Sequence, residues 1–105
     1  MSRVFIVRPE AEEDLADARK WYEDRRVGLG DEFLEQVDVT FDRIQRMPLV
    51  PAPKYQDVRR VLLKRFPYAV FYLVDDDQIT VIAVYHTSRD PRGWQSRVSE
   101  DEDEL

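Results

Sequence analysis

Residues 69–74 (AVFYLV) carry apolar or aromatic side chains at six consecutive positions. Successive side chains of a β-strand point to opposite faces of a sheet, so this segment predicts a central strand with both faces covered. The chain has 105 residues, which is the usual length of one domain with one hydrophobic core. Both faces of a small sheet of this kind therefore need a cover.

The first half of the chain shows the spacing of helices. Residues 3–8 form a short β-rich run that ends at Pro9, a residue suited to the first turn of a helix. The apolar spacing predicts a first helix from Pro9 to about residue 26 and a second over residues 31–47, which Pro48 ends. Two amphipathic helices joined by a short loop form an antiparallel hairpin.

The second half shows the pattern of strands. Strands are predicted over residues 58–66, 68–74 and 79–85, with a bend at residues 66–67 and a polar turn at 75–78. The sequence therefore predicts an α+β fold of order β-α-α-β-β-β. In this fold the helical hairpin packs on one face of a small, mainly antiparallel sheet.

The other face of this sheet needs a cover. Three covers are open: the tail after His86, a second copy of the chain, or another protein. In the first case Trp94 and Val98 fold back over the sheet, and in the other two the uncovered apolar surface marks an interaction site.

Charge is distributed unevenly along the chain. The net charge is −6, and residues 100–104 (EDEDE) contribute five of the negative charges. Residues 1–42 hold 12 acids and 6 bases, whereas residues 43–97 hold 10 bases and 5 acids. We expect one domain over residues 1–97 and a disordered acidic tail over residues 98–105, and we expect an anionic partner to bind the basic half.

Composition excludes several common functional sites. The chain has no cysteine and one histidine, which excludes a disulfide framework and a His/Cys zinc site, and we expect neither a metal nor a cofactor. None of the three glycines follows a strand at the spacing of a phosphate-binding loop. No stretch approaches the roughly 20 apolar residues of a membrane span, so we expect a cytoplasmic protein without a membrane partner.

Four basic residues fall on the strand predicted over residues 58–66. Alternation places Arg59 and Arg65 on one face of that strand. It places Arg60 and Lys64 on the other face. Either pair is suited to bind phosphate groups, and the alternative is a solvated edge strand whose charges prevent aggregation.

A polar segment, residues 86–94, follows the last predicted strand. Functional side chains are frequent at such positions because a rigid sheet holds them in place. Histidine changes its charge near neutral pH, so His86 is the natural proton donor if acid chemistry occurs here. A structural role for a single histidine at a strand end is the alternative. Tyr72 is most simply a core aromatic whose hydroxyl finds a partner.

Several short segments occur together in an order and spacing that mark one known family. They are residues 8–15 (RPEAEEDL), 21–22 (WY), 30–33 (GDEF), 58–60 (VRR), 66–72 (FPYAVFY), 84–86 (VYH) and 89–91 (RDP). On these segments the chain resembles the RelE/ParE superfamily of type II toxins from Phe5 to Trp94. The predicted order of helices and strands is the one that this family uses.

The resemblance implies a toxin neutralised by a cognate antitoxin protein that covers its apolar and basic surfaces in a hetero-oligomer. Val70, Tyr72 and Val74 on the central strand are the antitoxin contacts that we predict on this basis. The resemblance also implies two possible targets. RelE-like members cut messenger RNA on the translating ribosome, whereas ParE-like members bind DNA gyrase.

Matching single residues favours the ParE-like branch. Arg89 matches the arginine that the family has after the last strand, and Trp94 lies near the position at which the nuclease branch has a tyrosine. Ala69, however, occupies the place where the nuclease branch usually has an arginine. We therefore expect a toxin that binds gyrase without catalysis. The alternative is a ribosome-dependent endoribonuclease with His86 and Arg89 as its catalytic residues. The predicted phosphate- or target-binding residues are Arg59, Arg60, Lys64, Arg65, Arg92 and Trp94.

Overall fold

The computed structural model describes residues 3–103, with the side chains of residues 3–98. Its elements are β1 (Val4–Val7), α1 (Pro9–Arg25), α2 (Leu29–Arg46), β2 (Arg59–Leu62), β3 (Tyr68–Val74), β4 (Gln78–His86) and α3 (Arg92–Asp103). The strands of this part of the chain form one sheet in the order β1-β4-β3-β2, in which only β1 and β4 are parallel. The predicted α+β fold of order β-α-α-β-β-β is confirmed, and α3 follows it.

The helical hairpin of α1 and α2 covers one face of the sheet, as predicted. Phe33 and Val37 of α2 are buried against Val70 and Tyr72 of β3 in one apolar cluster. Aromatic rings dominate this layer, and the ring of Phe33 lies 5.3 Å from that of Tyr22 on α1. No helix within residues 3–103 has both the length and the apolar character to cross a membrane.

The opposite face is covered by α3, so the chain supplies this cover itself. The Trp94 ring stacks on Phe71 of β3 with centroids 4.1 Å apart, and both Trp94 and Val98 are buried. The expected domain boundary at residues 97/98 falls inside this helix. The tail predicted to be disordered includes residues 104–105, which lie outside the described residues, and the side chains of residues 99–103 lie outside them as well.

The second helix begins earlier than predicted. It starts at Leu29, so Gly30 belongs to its first turn and not to the loop. Gly28 takes the left-handed conformation at φ 90°, which a glycine adopts without steric cost. The carboxylate of Glu23 on α1 accepts hydrogen bonds from the backbone N–H groups of Gly28 and Gly30, each at 3.0 Å. These two bonds replace the side-chain cap that the helix lacks.

The predicted strand over residues 58–66 is too long. Strand β2 ends at Leu62, and the backbone N–H of Leu63 donates to the Tyr68 carbonyl at 2.9 Å to close a tight turn. Lys64 and Arg65 therefore lie in this turn, where Arg65 has φ 71°. The predicted division between two strand faces is therefore wrong for Lys64 and Arg65, because alternation applies only to an extended chain. Arg59 and Arg60 are consecutive residues of β2 and lie on opposite faces, as predicted.

A buried ion pair connects the two faces of the sheet beyond the end of β1. Val7, the last residue of β1, pairs with Val81, so β4 continues without this neighbour. There the Asp14 carboxylate of α1 accepts the Val84 N–H at 3.0 Å, and the Arg97 guanidinium of α3 donates to the Ile82 carbonyl at 3.0 Å.

The same two side chains also bind each other. The Arg97 guanidinium contacts both carboxylate oxygens of Asp14, at 2.7 and 3.1 Å. The side chains are only 8% (Asp14) and 15% (Arg97) exposed, and the carboxylate raises the pKa of Arg97 above its ordinary value. The pair therefore holds α1 and α3, which lie on opposite faces, around one edge of the sheet.

The proline-containing loop after α2 is held by two side chains of the sheet. The buried Tyr72 hydroxyl donates to the Pro48 carbonyl at 2.8 Å. The Arg59 guanidinium donates to the carbonyls of Leu49 and Pro51 at 3.3 and 2.5 Å. Tyr72 is thus a core aromatic with a satisfied hydroxyl, as the sequence predicts.

We expect Arg97→Ala to lower the free energy of unfolding by about 3 kcal/mol, because it leaves the Asp14 carboxylate buried without its cation. Urea denaturation at neutral pH measures this change. The matched control is Arg46→Ala, which breaks the exposed pair with Asp42 and should change stability by less than about 0.5 kcal/mol. Equal losses for the two variants would contradict the role assigned to the buried pair.

We expect Tyr72→Phe to cost about 1–2 kcal/mol, because the Pro48 carbonyl loses its buried donor. Burial also raises the pKa of Tyr72 above its ordinary value. A raised folded-state pKa gives stability that is complete below pH of about 10 and is lost as pH rises through the raised value. Urea denaturation from pH 8 to 11 should show a shallower alkaline decline for the variant. An unchanged slope would contradict this assignment.

Candidate functional site

Two neighbouring cavities open beside the end of β4, and both are lined by His86 and Arg89. The first, called here the aromatic groove, has a volume of about 530 Å³ and lies between α1 and the ends of β3 and β4. The second, called here the basic pocket, has a volume of about 240 Å³ and lies on the face of the sheet that α3 covers. The segment that follows β4 therefore serves two cavities at once.

Four parts of the chain form the basic pocket. Ala69 of β3 lines it, and its small side chain leaves space above the sheet. Arg60 of β2 reaches it from the neighbouring strand, and Lys54 enters from the proline-containing loop. The start of α3 forms a wall with Trp94. The space exists because α3 begins beside this corner of the sheet instead of covering it.

Arg89 is held at the pocket by an aromatic ring. Its guanidinium carbon lies 4.1 Å from the centroid of the Tyr85 ring, a cation–π contact. Tyr85 is itself buried, and the start of α3 packs closely against it at Gly93. A Cβ atom at Gly93 would lie 2.3 Å from the Tyr85 hydroxyl, so this close approach requires glycine.

His86 has a fixed orientation between the two cavities. Its Nδ1 accepts the backbone N–H of Ser88 at 3.1 Å and contacts the Ser88 hydroxyl at 2.8 Å. A backbone N–H can only donate, so the neutral ring carries its proton on Nε2. The ring also meets Tyr68 edge to face, with centroids 5.3 Å apart. Nε2 is therefore the atom through which His86 can act on a bound group.

The structure brings together three of the predicted site residues with side chains that can contact a ligand. Arg60, His86 and Arg89 line the basic pocket. The cation Lys54 joins them, and no sequence pattern pointed to it because its loop has no periodic spacing. Trp94 also lines the pocket, where it is only 5% exposed and forms a wall, and its role in target binding stays a prediction.

The other predicted basic residues lie elsewhere. Arg59 is bound to the carbonyls of the proline-containing loop. Arg65 pairs with Glu32 at 2.9 Å, and this hydrogen bond lowers the pKa of Glu32. Arg92 pairs with Asp90 at 2.6 Å and lowers the pKa of Asp90. Lys64 is exposed in the turn after β2. Arg59 is thus occupied by loop carbonyls, and Arg65 and Arg92 are occupied by carboxylates. Lys64 lies in the turn. These four residues therefore do not form one phosphate site.

The predicted antitoxin contacts on β3 are mostly inaccessible. Val70 and Tyr72 are both 0% exposed beneath the helical hairpin. The prediction is wrong for these two residues, since a partner reaches them only if the hairpin opens. Val74 is half-buried at the end of the strand. The two apolar faces that motivated the prediction are covered by the chain's own helices.

The aromatic groove offers a more accessible apolar surface. Trp21 of α1 is 49% exposed and lines this groove together with Tyr22 and Tyr68. The Arg25 guanidinium lies 3.8 Å from the Trp21 ring centroid. Burial raises the pKa of Tyr68, and the nearby charge of Arg89 opposes this rise. Within residues 3–98, no three His, Cys, Asp or Glu side chains are grouped so that they could hold a metal ion.

Comparison with known proteins finds similarity to a family model, to two relatives by sequence and to a solved structure by fold. A model of the family described as ParE toxin of type II toxin-antitoxin system, parDE, matches residues 5–91. Two relatives named Toxin ParE2, from the CDC 1551 / Oshkosh and ATCC 25618 / H37Rv strains of Mycobacterium tuberculosis, are 30% identical over 100 residues. The alignments cover 94% of this chain and 95% of each relative.

The fold has a counterpart among solved structures. A chain of the structure titled "Chromosomal ParDE TA system from P. aeruginosa" matches with a TM-score of 0.75 at 13% sequence identity. The match covers 83% of this chain and 98% of that chain. At this level of identity the likeness establishes the fold alone.

Proposed function

The chain belongs to the ParE toxin family of type II toxin-antitoxin systems, and from this premise we propose that it inhibits DNA gyrase by binding and is neutralised by a cognate antitoxin. The observation that carries the binding mechanism is Ala69 in the basic pocket. Cleavage of RNA builds negative charge on a phosphate, and an enzyme stabilises that charge with cations placed against the phosphate. Ala69, which is 1% exposed, stands where the nuclease branch usually has an arginine for this role, so one of those cations is missing.

Two further features support binding over cleavage. Trp94, near the position of the tyrosine in the nuclease branch, is stacked on Phe71 in the core and does not project into the pocket. Arg92, which follows the strand end, is bound to the Asp90 carboxylate. A catalytic group must come within hydrogen-bond reach of the reacting atoms, and neither side chain is presented in that way.

One observation favours the second candidate function, a ribosome-dependent endoribonuclease. Lys54, Arg60, His86 and Arg89 line one pocket, so cations for a phosphate and a proton donor are neighbours. In such an enzyme Nε2 of His86 would protonate the leaving oxygen. The nuclease therefore requires His86 for its activity, whereas the gyrase-binding toxin does not.

The mechanism is tested by producing the protein in a bacterial host without antitoxin and following DNA and protein synthesis in parallel. We expect DNA synthesis to stop first, purified gyrase to lose supercoiling activity, and His86→Gln to inhibit growth within about threefold of the wild type. A nuclease with His86 as its acid would lose on the order of 10²-fold in activity. Early arrest of protein synthesis with new cuts in messenger RNA would overturn the gyrase proposal.

We assign the antitoxin contact to the aromatic groove. The groove combines an exposed tryptophan with two further aromatic rings, and it has the volume of a typical binding cavity. Exposed aromatic residues beside a cavity are the usual energetic centres of protein interfaces. The occupant that fits is an apolar side chain of the antitoxin, flanked by polar groups that meet Asp17 and Arg89 at the rim.

We expect Trp21→Ala to weaken antitoxin binding by tenfold or more, because it removes the largest exposed aromatic surface of the groove. The ligand is the cognate antitoxin, and isothermal titration calorimetry gives the dissociation constant. Val27→Ala is the matched control, since Val27 is 87% exposed and does not line the groove. Similar affinities of the two variants would place the antitoxin elsewhere.

A further inference from the structure

Among the side chains that the structure describes, none is an acidic partner of the cations of the basic pocket. Among the described residues, Lys54, Arg60 and Arg89 form no ion pair. Most other described arginines bind a carboxylate, as Arg19, Arg26, Arg46, Arg65, Arg92 and Arg97 do. No Asp or Glu among residues 3–98 lines the pocket either. In an acidic chain of net charge −6, this pocket is therefore a local site of positive charge.

The three cations converge from separate elements on a preformed space. Arg60 lies on β2, in register with Phe71 of β3, and Lys54 comes from the loop before it. Arg89 is held against Tyr85 at the opposite side. Ala69 leaves the space between them open. Like charges that line one space repel one another, and a bound anion would relieve this repulsion.

We propose that the basic pocket binds a phosphate group. A terminal phosphate carries up to two negative charges and a backbone phosphodiester carries one, and both present their acceptor oxygens in a tetrahedral arrangement, whereas a carboxylate carries one charge and two oxygens in a plane. The planar forks of Arg60 and Arg89 match phosphate oxygens in pairs, and Lys54 adds a third charge. The Thr87 hydroxyl and the Gln95 amide at the rim are neutral donors for the remaining oxygens.

The size of the pocket indicates how the ligand is held. Its volume of about 240 Å³ lies below the range of roughly 300–1,000 Å³ that holds a whole small-molecule ligand. The pocket therefore takes the phosphate, and the remainder of the ligand lies outside it. The phosphate belongs either to a free nucleotide or to the backbone of a nucleic-acid strand. This inference concerns binding alone and holds whichever target the toxin has.

The test is titration of the full chain, followed by calorimetry and by the amide NMR signals of Ala69, Thr87 and Gln95. The probes are adenosine monophosphate, a single-stranded DNA octamer and the dicarboxylate succinate. We expect saturable binding of at least one phosphate probe and binding of succinate at least tenfold weaker. The tighter of the two phosphate probes identifies the source of the phosphate. Equal affinity for succinate, or no saturable binding of either phosphate probe, would overturn the proposal.

Paired variants locate the site and separate it from general electrostatic attraction. Gln95→Glu places a carboxylate at the rim, and Gln45→Glu adds the same charge on the exposed surface of α2. Arg60→Gln removes a pocket cation, and Arg43→Gln removes an exposed cation of α2. We expect tenfold or greater loss of phosphate affinity for each pocket variant and less than twofold for each α2 control. Equal losses within either pair would show attraction to net charge only and refute the pocket.

Gyrase supercoiling assays on the same variants keep this inference separate from the proposed function. Loss of phosphate binding with full gyrase inhibition would leave both proposals intact and make them independent. Gyrase inhibition by a wild-type protein that binds no phosphate would overturn this inference alone.

Discussion

The ion pair between Asp14 and Arg97 is the interaction on which the placement of helices on both faces of the sheet depends. Removing two charges from water is costly, and this cost is offset because both side chains also bind backbone groups of β4 that have no strand beside them. This pair thereby supplies hydrogen-bond partners to the backbone at the edge of the sheet and joins α1 to α3. The pair adds to the apolar packing of Trp94 and Val98 that holds α3 on the sheet, and among the described residues it is the one ion pair between α3 and the helical hairpin.

The position of α3 also creates the site. Trp94 fills the space over Phe71 and so completes the second core layer. The same helix begins at the corner above Ala69. The small side chain of Ala69 and the start of α3 leave a pocket between the cations there. The residue that argues against RNA cleavage thus also provides the room for a bound phosphate. The position of α3 therefore completes the core, and together with the small side chain of Ala69 it leaves room for a ligand.

Sequence patterns predicted the fold well where a segment follows one period. The bounds of β3 agree with the prediction, because a strand with apolar side chains on both faces has no competing structure. The site was predicted less well. Alternation along an assumed strand failed at Lys64 and Arg65, where the chain turns after Leu62. Lys54 was missed because its position depends on a loop that Tyr72 and Arg59 hold through backbone carbonyls.

The sequence by itself determined the order of helices and strands, the need for two covering layers and the family, since these depend on local periodicity and on short segments in a fixed order. The tertiary structure decided which charges are available to a ligand. Arginine side chains look alike in a sequence, yet Arg92 is bound to Asp90 and Arg97 to Asp14, while Arg60 and Arg89 face an open pocket. The physical reason is that the effect of a charge depends on its distance to other charges and to water, and only the folded chain sets those distances.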